Sequence, residues 1–172
     1  MVDGSADLEQ SESLTCCEIH KCLVIEVDQV RSRALSLAAM NTDNSEKNNL
    51  YELIGGDDAL RVLVDRFYDV MDLELEFKAL RAMHPLTLDG SRDKLYFFLS
   101  GWMGGPDLYT PRFGSAFLRA RHLPFNIGSQ ERDEWLTCML IAMRDLNYTE
   151  ETQDALLAAL FGTADWMRNK PD

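Results

Sequence analysis

Arg119-Ala120-Arg121-His122-Leu123-Pro124-Phe125, with Trp135 thirteen residues beyond the histidine, is the most telling stretch of this chain. Phe117 and Leu118 lead into it, and Pro124 forbids a helix from running on past His122. An imidazole held at a helix end beside apolar neighbours is well placed to ligate a metal. A hydrogen-bonded, half-buried histidine is the alternative that these residues alone leave open.

The 172 residues suffice for one domain with a substantial core. A net charge of −12, from 29 acids against 17 bases, argues against nucleic acid and anionic membranes as partners, because neither phosphate array would be neutralised. No run approaches the ~18 consecutive apolar residues that span a bilayer. Met1 to Glu12 are polar and acidic, unlike a secretory leader. Cys16, Cys17 and Cys22 cluster while Cys138 stands far off, which is no disulfide framework, so a reducing cytoplasm is the expected location.

Working outward, residues 1–48 read as an N-terminal extension and residues 49–172 as the folded domain. In the extension, Cys16, Cys17, His20 and Cys22 offer metal ligands, but their spacing matches no closed tetrahedral zinc pattern. Leu23 to Ala39 reads either as a marginal helix or as a strand and then a helix. A polar link, Asn41 to Asn49, follows Met40, and a shorter product starting at Met40 is a hypothesis that intact mass of the native protein would test.

From Tyr51 on, the helical period dominates. Leu60, Leu63, Val64, Phe67, Tyr68 and Met71 recur at three and four residues and form one stripe. Gly55-Gly56 break it from the short Leu50–Ile54 segment. Leu75 to Met83 reads as a short helix stopped by Pro85. Ser91 to Trp102 places Leu95, Phe98, Leu99 and Trp102 on one face, and Gly104-Gly105-Pro106 ends it. A loop runs to about Ser115. Gly128-Ser129 opens a long helix, with Trp135, Cys138, Met139, Ala142 and Leu146 on one face. Thr149 is the expected N-cap of the last helix, which buries Leu156, Ala159, Leu160, Thr163 and either Trp166 or Met167. Nothing reads as a sheet, so the expected class is all-α.

Taken in order and spacing, Gly55-Gly56, Arg66-Phe67-Tyr68, Met83-His84-Pro85, the Phe98 to Pro106 run, the Arg119 to Phe125 run and the Glu131 to Met139 run resemble the group II truncated haemoglobins over about residues 50–172. The resemblance implies a two-over-two helical sandwich, a globin shortened and loosened before the helix of the proximal ligand, holding one haem b. It also implies that His122 is the proximal iron ligand, a helix-borne histidine being the usual one. The other ring N–H should then donate to a backbone carbonyl one turn earlier, at Leu118, setting the tautomer.

Tyr68 and Trp135 resemble the family's distal donors. A phenol buried without a partner costs a few kcal/mol, and a ligand held in the pocket supplies one. The indole can only donate, which suits the same ligand. Plain core packing is the competing reading for both. His84 stands where relatives carry Phe, Tyr or His, and reads equally as a titratable donor near the ligand or as packing on the porphyrin edge. Ser91, small, replaces the distal histidine of longer globins and leaves a gate. Leu95 should wall the pocket and Phe98 pack on haem or core. Arg112, Arg119 and Arg121 lie in a stretch, Leu108 to Gln130, that has no acid. With Lys94 from the other helix they are expected to compensate the propionates, or else to form a solvated basic face. One departure stands out. Relatives have Gly-His-Pro before the proximal helix, and here the match is Gly114-Ser115-Ala116. Cys138 reads as core filler.

The function expected from this resemblance is binding of O2, and of NO, at a His-ligated ferrous iron with a Tyr/Trp pocket. The alternative is a redox enzyme, oxidising NO to nitrate or reducing peroxide, fed by a separate reductase. A monomer or homodimer fits either. A haem-free helical interaction module, docking through its extension, is the third class.

Overall fold

The structure, a computed structural model, describes residues 49–171. The readings made on residues 1–48, namely the cysteine cluster, the Leu23–Ala39 segment and a start at Met40, lie outside the described residues. Every regular element among the described residues is helical: α1 (Leu50–Leu53), α2 (Gly56–Leu73), α3 (Lys78–Ala82), α4 (Asp89–Trp102), α5 (Thr110–Phe113), α6 (Leu118–His122), α7 (Ser129–Asp145) and α8 (Glu150–Trp166), with a 3₁₀ turn at Leu75–Phe77 before α3. The two-over-two arrangement expected of the fold is present. α2 packs on α4, α7 packs on α8, and α2 crosses α7 between the pairs.

The stripe on α2 explains that arrangement. All six of its members are buried, and with Leu136, Met139, Leu140 and Met143 from α7 and Leu156 and Leu160 from α8 they form the core. Cys138 is fully buried there, and burial pushes its thiol well above the ordinary range, so it serves as filler. Met167 joins the core while Trp166 is exposed, which settles the choice between them.

Helix ends follow local chemistry. Asn49 Oδ1 accepts from the N–H groups of Tyr51 and Glu52 at 3.1 and 3.4 Å. Gly55 and Gly56 both take positive φ, which lets the chain reverse between α1 and α2. Thr149 caps α8 by accepting from Thr152 N–H, and Glu131 Oε2 accepts from Gly128 N–H at 2.8 Å at the start of α7. At the end of α4, Gly104 adopts φ 96°, its N–H donates to Gly101 O, and Gly105 N–H donates to Ser100 O at 2.9 Å. This pair of bonds closes the helix in a Schellman turn.

Gly105 does more than end a helix. A Cβ there would lie 2.6 to 2.8 Å from three ring carbons of Tyr51. Tyr51 cannot swing away freely, because its N–H donates to Met103 O and its hydroxyl to Asp57. Gly105→Ala is therefore expected to cost about 1–3 kcal/mol by overpacking. The urea midpoint should fall; an unchanged midpoint would show that α1 simply moves aside.

Two readings need correction. Leu75 to Met83 is not one helix. Glu74 is extended (ψ 122°), and a 3₁₀ turn then leads into α3. The tighter period buries Phe77 and Leu80 together while Leu75 stays 84% exposed, so no single α-helical face existed to build on. The helix expected from Ser91 begins two residues earlier, at Asp89, with the N–H groups of Ser91 and Arg92 both donating to Leu88 O.

Candidate functional site

A cavity of about 420 Å³ opens between α4, α6 and the α7–α8 pair. Tyr68, His84, Ser91, Lys94, Leu95, Phe98, Arg121, His122 and Trp135 all line it, although they come from α2, the α3–α4 connection, α4, α6 and α7. Of the three arginines expected to compensate propionates, Arg121 lines the cavity and Arg112 and Arg119 lie outside its lining. Arg112 donates to Leu108 O at 2.8 Å and lies 4.4 Å from the Phe97 ring centroid. Arg119 donates to Trp166 O and Arg168 O. Each guanidinium gives one of its nitrogens to the chain's own carbonyls.

His122 ends α6. Its Nδ1 lies 2.7 Å from Leu118 O, the bond expected from the sequence. A carbonyl only accepts, so the proton sits on Nδ1 and Nε2 keeps its lone pair. Phe117, just before α6, holds φ 41° while 70% exposed, a left-handed conformation that a bulky side chain rarely takes. It follows Gly114-Ser115-Ala116, and Gly114 is likewise at positive φ.

On the facing side, Tyr68 is buried between Phe67, at 4.9 Å and edge-on, and His84, at 5.9 Å and edge-on. Burial pushes its phenol well above 10, and the Arg92 charge and a hydrogen bond with Ser91 pull it only part of the way back. It is a neutral donor at any physiological pH. Arg92, which the sequence analysis passed over, lies 5.7 Å from the Tyr68 ring centroid. It is tied to Asp65 O and, at 2.6 Å, to Asp69. Its signal was present in the pair of aspartates one turn apart on α2, which make an anchor for a cation on the adjacent helix. Trp135 is tilted on Phe67 at 5.0 Å.

His84, read equally as a donor or as packing on the porphyrin edge, lines the cavity. Its Nδ1 lies 3.0 Å from Leu80 O, so that nitrogen carries the proton and Nε2 is an acceptor. Burial lowers its pKa below 6.5, the Leu80 bond opposing this and Arg81 and His122 reinforcing it, so the ring is neutral at pH 7. Lys94 and Arg121 bring two cations to the cavity from α4 and α6. Both are exposed, and Arg121 is steadied by donating to Ala116 O at 2.8 Å.

Comparison with known proteins agrees with this geometry. A model of the bacterial-like globin family matches residues 49–169. The group 2 truncated hemoglobin YjbI of Bacillus subtilis is 38% identical over 125 residues, covering 73% of this chain and 92% of that protein. The group II 2-on-2 hemoglobin of Agrobacterium tumefaciens superposes with a TM-score of 0.67 at 40% identity, covering 76% of this chain and all of the other. A cold-adapted truncated hemoglobin from Pseudoalteromonas haloplanktis also reaches 0.67, at 37% identity over 70% of this chain and 98% of its own. Haem b, the cofactor of these proteins, fits the residues present. An imidazole with a free nitrogen lone pair, apolar side chains such as Leu95, Phe98, Leu160 and Ala164, and two cations for carboxylates all converge on one cavity. The chain belongs to the bacterial-like globin family, as a group II truncated haemoglobin.

Proposed function

We propose that this protein binds dioxygen, and nitric oxide at the same position, on a ferrous haem ligated by Nε2 of His122. The observation that carries the reading is the 2.7 Å contact from His122 Nδ1 to Leu118 O, which leaves the other nitrogen unprotonated on a residue lining the cavity. The haem supplies an iron centre that takes a diatomic gas. The chain supplies everything that discriminates between gases. Tyr68 O–H and Trp135 N–H are donors, Leu95 and Phe98 limit water, and Lys94 with Arg121 hold the propionates. Two donors converging on one ligand slow its release. Slow release suits chemistry or sensing better than bulk carriage. The reading is tested by oxygen and nitric oxide stopped-flow kinetics on the reduced protein, where the distal variants treated in the Discussion should release oxygen faster.

His84 adds a pH dependence with a defined sign. At pH 7 it accepts only. As pH falls through its lowered pKa, Nε2 gains a proton and becomes a further donor facing the cavity. Oxygen release is expected to slow at pH values below 6.5 in the native protein and to be flat there in His84→Phe. A wild-type rate that is constant from pH 7 to 5 would remove His84 from the ligand's surroundings.

A further inference from the structure

α6 is five residues long and none of them is buried. A helix that short has no stability of its own, and this one has little burial to orient it. Its placement must come from contacts outside it. The C-terminal segment beyond α8 supplies them. Arg119 reaches out from α6 to the carbonyls of Trp166 and Arg168. In the other direction, Asn169 reaches in, its side-chain amide nitrogen donating to His122 O at 3.2 Å and to Phe125 O at 2.8 Å.

Asn169 ties two further polar atoms to the same connection. Its Oδ1 accepts from Ile127 N–H at 3.2 Å, and its own N–H donates to Ile127 O at 2.9 Å. One side chain thus pins both ends of the Phe125–Ile127 link joining α6 to α7. The carbonyl it holds belongs to His122 itself, and that oxygen also accepts from Phe125 N–H. A shift of this peptide carries the His122 Cα–Cβ bond with it, and so alters both the aim of the ring and the Nδ1 bond to Leu118.

We infer that Asn169 is a positioning residue for the His122 imidazole, setting through the His122 carbonyl how that ring presents its nitrogen to iron. The inference rests on the proposed ligation by His122. Two donor hydrogens and one acceptor oxygen are needed at once, which only an amide supplies. Aspartate has the same shape but cannot donate, and it would set a negative charge against two carbonyl oxygens.

Resonance Raman spectra of the full-length, haem-loaded ferrous protein without gas test this through the iron–imidazole stretching band. Asn169→Ala and Asn169→Asp are both expected to move the band to lower frequency and to broaden it. Haem loss should quicken on the order of tenfold, the effect of losing an outer partner of a metal ligand. Asn169→Asp, being isosteric, carries the test if Asn169→Ala folds poorly. The same substitutions in His122→Gly protein supplied with free imidazole should leave the band in place, because that imidazole is not attached to the peptide. An unchanged band in both single variants overturns the inference. So does an equal shift in the His122→Gly background, which would mean that Asn169 acts on the fold at large. A wild-type protein that holds haem without a band dependent on His122 overturns the ligation itself, and the positioning role with it.

Discussion

His122→Ala is expected to leave a folded, helical protein that does not retain haem. The fold should survive because α6 carries no buried residue and the core lies outside it, mainly in α2, α4, α7 and α8. Far-UV circular dichroism should therefore match the native chain. Haem retention should collapse because the substitution removes the coordinating nitrogen, while apolar contact and two cations remain. Losing a mere outer-shell partner of a metal ligand costs roughly 10–100-fold in affinity; losing the ligand should cost more. His84→Ala is the matched control. His84 also lines the cavity with a free Nε2, yet the proposal assigns it no iron bond, so haem should stay. Haem kept by His122→Ala and lost from His84→Ala would exchange the two roles.

The second large effect is on ligand release. Tyr68→Phe and Trp135→Phe each remove one donor while keeping an aromatic ring against Phe67. A neutral hydrogen bond contributes ~0.5–1.5 kcal/mol net, and every ~1.4 kcal/mol is tenfold, so each change should speed oxygen release by up to about tenfold. Because both donors address one small ligand, their effects should fail to add in the double variant. Tyr68→Phe keeps the ring and its edge-on contacts with Phe67 and His84, so stability should move little. Stopped-flow oxygen release equal to wild type in both variants would take these side chains out of the pocket.

Much of this architecture was legible because its causes are local. The α2 stripe repeats at three and four residues, Thr149 and Gly104 carry the chemistry of helix ends, and His122 finds its carbonyl one turn back at Leu118. The class of fold followed from such signals, and the motif spacing located the cavity. What was less legible depends on partners that no periodicity marks. Arg112 and Arg119 read as propionate partners from charge alone, and charge does not show that one meets Leu108 O four residues back and the other Trp166 O forty-seven residues on. The tautomer of His84 follows from its place beside Leu80 in the turn after α3, which the sequence reading had blurred into one longer helix. Asn169 was passed over because its side-chain partners lie more than forty residues upstream, at His122, Phe125 and Ile127, and no periodicity marks a lone amide after a helix.

The central claim is that this cavity holds haem through one imidazole nitrogen. Spectrophotometric titration of the purified full-length chain with hemin tests it most directly. The account predicts saturation at about one equivalent, a sharp Soret band, and on reduction the spectrum of a ferrous haem with a single histidine ligand. A chain that is folded by circular dichroism and leaves the spectrum of free hemin unchanged would contradict it.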